Sequence, residues 1–214
     1  MNRRAVKIGA AGAVAIALLV VLWPSGVGDV RNLDSRGSSV IAFGDSLTEG
    51  YGASQGEAWP ARLASKSGVE IVNAGVSGDT TETALARIET DVLARDPRIV
   101  IVGLGGNDFL RRVPVAATEA NLRAIVRKIQ ASGAMVVLLG FEFPSIGPSY
   151  AKMYERIAEE EECLLVEDVL DGILRDTKLK SDEIHPNAAG YQIMADRIEE
   201  PLGKLIAKAN RSRT

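Results

Sequence analysis

Five short apolar runs rich in β-branched residues, starting about 30 residues apart, set the frame for this chain. They fall at 40–43, 70–73, 98–104, 134–140 and 164–167, and their near-continuous apolar character suits strands covered on both faces. Longer stretches at 59–65, 80–94, 118–132, 150–161 and 187–208 carry apolar residues three and four apart, as in Leu122, Ile125, Val126 and Ile129, which is the spacing of amphipathic helices. A repeat of about 30 residues leaves room for one crossover helix per parallel strand. The order βαβαβαβαβα therefore predicts an α/β fold, a three-layer α/β/α sandwich around a five-stranded parallel sheet. Internal sequence repeats and low-complexity segments are absent.

The first 28 residues do not belong to that pattern. Arg3, Arg4 and Lys7 precede an unbroken apolar run from Ile8 to Trp23, followed by Pro24, Gly26 and Gly28. A basic start and an apolar run of this length have the form of an export signal, and no A-x-A-like cleavage site follows. The run is slightly short of the roughly 17–25 residues of a spanning helix. An uncleaved N-terminal anchor is favoured over removal, with the domain exported to the periplasm or held outside the cytoplasm at the inner membrane. The organisation expected is a signal peptide or signal anchor over 1–28, a polar linker over 29–38, the folded domain over 39–208 and a polar tail over 209–214.

Charge and side-chain chemistry narrow the function. The 214 residues carry 25 bases and 28 acids; the first 28 hold three of the bases and no acid, so the remainder moves from −3 to −6. A net acidic domain is a poor match for nucleic acid. The basic residues Lys204, Lys208, Arg211 and Arg213 suit a solvated helix terminus, and the acidic run 159–162 a solvated helix end. A single cysteine, Cys163, forbids an internal disulfide, and with a single histidine, His185, it cannot build a Cys/His zinc site. Because Cys163 opens an apolar run, it is expected to be an inert buried thiol. H-E-x-x-H, the phosphate-binding G-x-x-x-x-G-K-[ST] and the dinucleotide G-x-G-x-x-G are all missing. No metal and no cofactor are expected, and nothing in the sequence requires an oligomer.

In an open parallel sheet, ligands bind beyond the carboxyl ends of the strands. Polar, glycine-rich loops follow the first three: Gly44-Asp45-Ser46-Leu47-Thr48-Glu49-Gly50, Asn73-Ala74-Gly75-Val76-Ser77-Gly78-Asp79-Thr80, and Gly105-Gly106-Asn107-Asp108. A fourth segment, Asp182-Glu183-Ile184-His185-Pro186-Asn187, precedes the last helix. His185 is the one side chain suited to take a proton near neutral pH. A serine hydroxyl needs such a base to act as a nucleophile, which makes Ser46 its partner. Asp182, three residues before His185, can accept from the imidazole Nδ1–H and fix the tautomer. The backbone N–H groups of Ser46 and Gly78 and the amide of Asn107 are the candidate donors for an oxyanion.

These four blocks, G-D-S-L with Ser46, the glycine block with Gly78, G-x-N-D with Asn107 and D-x-x-H with Asp182 and His185, resemble the SGNH/GDSL hydrolases. The resemblance spans about residues 39–207. Within that family, N-A-G-V-S-G-D-T-T and L-G-G-N-D-F-L-R are similar to a bacterial periplasmic subgroup with acyl-CoA thioesterase, lysophospholipase and arylesterase activity. The resemblance implies a flavodoxin-like SGNH hydrolase fold and a cofactor-free serine ester hydrolase that cleaves carboxylic esters or thioesters through an acyl-enzyme on Ser46. The G-x-S-x-G elbow of common α/β-hydrolase lipases is absent. Asp45, Asn73, Asp79 and Asp108 are expected to support the site rather than react.

Leu47, Phe109, Leu110, Phe143, Pro144 and Ile184 flank these loops and are candidates for an apolar acyl groove, core packing being the alternative. The loop 109–114 is a candidate for movement. The expected partner is a small-molecule or lipid ester or thioester. Two other functions fit the same residues less well: a cell-envelope glycan O-acetylesterase or acyltransferase of the same superfamily, and a non-catalytic lipid- or ligand-binding module.

Overall fold

The structure, a computed structural model, describes residues 29–142 and 149–213. The expected export segment and the groove candidates Phe143 and Pro144 lie outside the described residues. Five parallel strands form one sheet: β1 (Ser39–Gly44), β2 (Ile71–Gly75), β3 (Pro97–Gly103), β4 (Met135–Leu139) and β5 (Leu164–Val166). Their order is β2-β1-β3-β4-β5. The inner strands are buried along nearly their whole length; Ile41 to Phe43, Ile99 to Val102 and Met135 to Leu138 expose no surface. Strands covered on both faces must be apolar at successive positions, which is why they stand out in the sequence.

Among the described residues, seven α-helices join them: α1 (Ser46–Glu49), α2 (Trp59–Ser67), α3 (Thr81–Asp91), α4 (Gly106–Leu110), α5 (Val115–Ala131), α6 (Ser149–Glu160) and α7 (Ala188–Arg211). α2 and α7 pack on each other over one face, while α3, α5 and α6 lie side by side over the other. This is the three-layer sandwich that the sequence predicts. α1 and α4 were not expected: four and five residues are too few to show a helical period, and both sit in segments read as loops. Phe109 and Leu110, expected in a movable loop, lie in α4, whose end is closed by the Val113 amide donating to the Asp108 carbonyl (2.9 Å).

A row of three glycines explains how α1 is seated. Gly75, Gly44 and Gly103 stand in register at the carboxyl ends of β2, β1 and β3. A Cβ on Gly44 would overlap the Thr48 side chain, and one on Gly75 would collide with the Glu49 amide. The row thus clears a floor on which α1 lies directly against the sheet. Asn73 holds it there, donating Nδ2 to the Thr48 carbonyl (2.8 Å) and accepting the Gly75 amide (2.9 Å).

Two sequence expectations change in detail. Glu161 in the acidic run is buried, not solvated, because Arg123 (3.0 Å) and Arg127 (2.7 Å) on α5 pair with its carboxylate. Residues 29–38 lie against the domain: Val30 is in the core and Asn32 donates Nδ2 to the carbonyls of Gln130 (2.8 Å) and Ala134 (2.9 Å). At the other end α7 continues through a buried Ala209 to Arg211.

Candidate active site

The chain leaves β1 for one neighbour and returns to place β3 on the other side, so a crevice opens where the strand order switches. Ser46 sits there as the first residue of α1, with Asp45 as its N-cap. The Ser46 amide is among the first of a helix and has no intrahelical acceptor. Its hydroxyl is 3.0 Å from His185 Nε2. His185 Nδ1 is 2.8 Å and 3.0 Å from the two carboxylate oxygens of Asp182.

The proton positions follow from the carboxylate. Partial burial works to raise the Asp182 pKa, but the Ile184 and His185 amides (2.9 Å each) and the imidazole together hold it below the usual range. An ionised carboxylate only accepts, so His185 Nδ1 carries the hydrogen and Nε2 is left to accept from Ser46 O–H. The three side chains, 139 residues apart in sequence at the widest pair, form one hydrogen-bonded chain.

The His185 segment is built as a closed loop. Asn187 caps α7 by accepting the Ala189 (2.9 Å) and Gly190 (3.2 Å) amides, and its own Nδ2 donates to the Lys178 carbonyl (2.8 Å). The Ser181 amide donates to the His185 carbonyl (2.9 Å), and an antiparallel bridge joins Lys180 to Pro186. A Cβ on Gly190 would strike the Leu179 carbonyl, so the first turn of α7 lies flush against this loop.

Asn107, in the first turn of α4, donates Nδ2 to the Asp79 carbonyl (2.9 Å) and to Asp45 Oδ2 (3.3 Å). It therefore ties the loop after β3 to both other loops. Gly78 adopts φ +83°, open to glycine without strain, and its carbonyl accepts from Arg111 Nη2 (2.9 Å). Asp45 also accepts the Leu47 amide (3.0 Å). Burial raises the Asp45 carboxyl to about 7; the Leu47 hydrogen bond opposes that, and the charges of Asp79 and Asp108 add to it.

Asp79 and Asp108 are buried but engaged elsewhere. Asp79 pairs with Arg87 Nε (2.6 Å), and Asp108 accepts the Thr81 amide (2.9 Å) and hydroxyl (2.6 Å) at the start of α3. Arg87 donates Nη2 to the carbonyls of Gly44 and Ala74 (3.0 Å each) and lies 4.5 Å from the centre of the Phe43 ring. One guanidinium thereby clamps the ends of β1 and β2 beneath the site.

A cleft of about 240 Å³ opens at Ser46. Asp45, Ser46, Asn107 and His185 form its polar end, and Leu47, Phe109, Leu110, Phe141, Leu170, Leu174 and Ile184 make the rest apolar. Leu110 and Ile184 are 49% and 40% exposed, unusual for large apolar side chains and consistent with a surface that binds something apolar. On the flank of His185, outside the cleft lining, the Tyr51 ring lies 4.5 Å from the imidazole, centre to centre.

This geometry can be set beside known proteins. A family model described as GDSL-like lipase/acylhydrolase matches residues 42–193, well over half the chain. The chain belongs to the GDSL-like lipase/acylhydrolase family. It is 33% identical over 176 residues to the thioesterase 1/protease 1/lysophospholipase L1 of Escherichia coli K12, covering 78% of this chain and 85% of that one. It is 31% identical to the esterase TesA of Pseudomonas aeruginosa, covering 78% and 89%. Among solved structures, the psychrotrophic esterase EstA from a Pseudoalteromonas species, inhibited by monoethylphosphonate, superposes with a TM-score of 0.70 at 31% identity over 79% of this chain and 98% of that one. This GDSL-family chain is an ester hydrolase, and the fold and family match what its four blocks imply.

Within the GDSL site, Ser46, Asp182, His185 and Asn107 come together as described, and Gly78 lies beside them through Asn107 and Arg111. Leu47, Phe109, Leu110 and Ile184 line the cleft. Sequence reasoning missed Phe141, Leu170, Leu174, Arg87 and Tyr51. Leu170 and Leu174 belong to the turns and the single 3-10 turn (Ile173–Arg175) between β5 and the His185 loop, too short for any periodicity to mark them. Tyr51 carried one usable signal, a bulky ring between Gly50 and Gly52 five residues after the nucleophile candidate.

Proposed function

We propose that the protein is an exported serine hydrolase that cleaves carboxylic esters and thioesters of medium or long acyl chains through an acyl-enzyme on Ser46. The observation that carries this reading is the apolar cleft running from the Ser46–His185 hydrogen bond over Leu47, Phe109, Leu110, Leu174 and Ile184. His185 Nε2 takes the hydroxyl proton as Ser46 Oγ bonds to the carbonyl carbon, and Asp182 stabilises the imidazolium that forms. The Ser46 and Gly78 amides and the Asn107 Nδ2, which turns the hydrogen of its longer bond to Asp45 toward the substrate, serve as donors to the oxyanion; each such donor typically accounts for about 2.7–4 kcal/mol of barrier. On collapse, His185 returns its proton to the departing alcohol or thiol. Water, deprotonated by the same imidazole, then releases the acid and restores Ser46.

The names of the relatives, thioesterase and lysophospholipase among them, support substrates with an acyl chain and a small or lipid leaving group. Export is supported by the basic start and apolar run of the first 28 residues, which also offer an anchor at the membrane. The test uses the full chain and Ser46→Ala on p-nitrophenyl esters and acyl-CoAs of two to sixteen carbons. Serine-dependent turnover that rises with chain length is expected. Turnover confined to acetate would replace this reading by an O-acetylesterase, and ligand binding with no hydrolysis would replace it by a binding module. Recovery of the chain in soluble cytosol after fractionation would overturn export.

A further inference from the structure

Tyr51 is 55% exposed, yet the turn that carries it is held from three sides. Its carbonyl accepts the hydroxyl of the fully buried Tyr191 (2.7 Å). Gly50 and Gly52 take φ +101° and +88°, and neither has room for a side chain: a Cβ on Gly50 would overlap Ala58, and one on Gly52 would overlap Ser181. Ser181 is the residue whose amide and hydroxyl donate to the His185 carbonyl. The Tyr51 turn and the His185 loop thus lean on the same residue, and a fixed separation between their backbones follows.

Those side chains meet with ring centres 4.5 Å apart and planes tilted by 42°. The two imidazole nitrogens are already engaged, Nδ1 by Asp182 and Nε2 by Ser46, and 13% of the His185 side chain is exposed. What remains of the ring is its faces and carbon edges, and Tyr51 covers part of them. A cation within about 6 Å of an aromatic centre is attracted to the ring quadrupole. The imidazole becomes such a cation each time it takes the serine proton. The other ionisable groups near it are Asp182 and the Lys180–Glu183 pair on its own loop and Asp45 in the same cleft; Tyr191, whose hydroxyl feels the charges of Asp45, Asp182 and Glu49, lies beneath the Tyr51 turn.

We propose that Tyr51 is a positioning residue for proton transfer: its ring holds the His185 imidazole between Asp182 and Ser46 and stabilises the imidazolium that forms there. The proposal rests on the Ser46–His185–Asp182 reading given above. Because Tyr51 does not line the acyl cleft, its removal is expected to act on kcat and leave KM in place.

The experiment compares the full chain with Tyr51→Leu, which keeps apolar bulk without a ring, and Tyr51→Phe, which keeps the ring. His185 is the only histidine, so a carbon-13 label in the imidazole gives one titrating signal independent of activity. In Tyr51→Leu the signal midpoint and the acid limb of kcat/KM are expected to move down together by about half a pH unit, with kcat falling about two- to five-fold. Tyr51→Phe is expected to restore both toward the parent. A midpoint that stays or moves up in Tyr51→Leu, or a Tyr51→Phe variant as impaired as Tyr51→Leu, overturns the proposal. Turnover surviving in Ser46→Ala or His185→Ala would instead overturn the reading beneath it.

Discussion

Asp45 offers a quantitative test of how the site is built. The residue is 2% exposed, and its carboxyl is raised from 3.8 to about 7, chiefly by burial. Between those two values the native chain holds a proton that the unfolded chain has released, so stability falls as pH rises through this window and levels off above about 7. A gap of about three units at about 1.36 kcal/mol each amounts to about 4 kcal/mol across the whole window, and to about 3 kcal/mol between pH 5 and 7.5. Asp45→Asn fixes the neutral form and still offers Oδ1 to the Leu47 amide. Its urea unfolding free energy is therefore expected to lack that decline. The pairs that lower Asp182, Glu119 and Glu161 act below this range and are common to both chains. The measurement is the unfolding free energy of parent and variant at pH 5 and pH 7.5. A parent that loses about 3 kcal/mol more than the variant agrees with the account; equal pH dependence would refute the buried, proton-holding Asp45.

Arg87→Met leaves Asp79 unpaired and frees two strand-end carbonyls, so a loss of about 3–5 kcal/mol in urea unfolding is expected; less than about 1 kcal/mol would contradict the clamp. Leu174→Trp fills part of the apolar cleft. Losing room for two methylenes, about 0.8 kcal/mol each, raises KM for a twelve-carbon ester about tenfold and leaves acetate esters alone, whereas equal effects on both would place the acyl chain elsewhere. The Cys163 thiol, pushed up to about 12 by burial, is expected to react with a thiol reagent at pH 8 only when the chain unfolds, and rapid labelling of the native chain would contradict its burial.

The sheet was readable because inner strands such as β3 and β4 are apolar over successive positions, Ile99 to Val102 and Met135 to Leu139, and the amphipathic helices because their period survives over about two and a half turns or more. α1 and α4 were not readable: the Gly44–Gly75–Gly103 row that seats α1 looks, in sequence, like loop glycine. Only the register of three strands reveals it as a floor. Within the site, Ser46, Asn107, Asp182 and His185 carried chemistry that marks them wherever they fall. Phe141, Leu170 and Leu174 are ordinary apolar residues whose role depends on which surface faces Ser46. Arg87 looked like any helical arginine until β1 and β2 ended beneath it, and Tyr51 needed the His185 loop folded over it.

The central claim is an acyl-enzyme on Ser46. Rapid quenching of the full chain with a p-nitrophenyl ester, followed by intact-mass and peptide analysis, tests it directly. The account predicts an acyl increment confined to the peptide bearing Ser46, formed with the burst of p-nitrophenol and absent from Ser46→Ala. An increment on another residue, or parental turnover in Ser46→Ala, would contradict it.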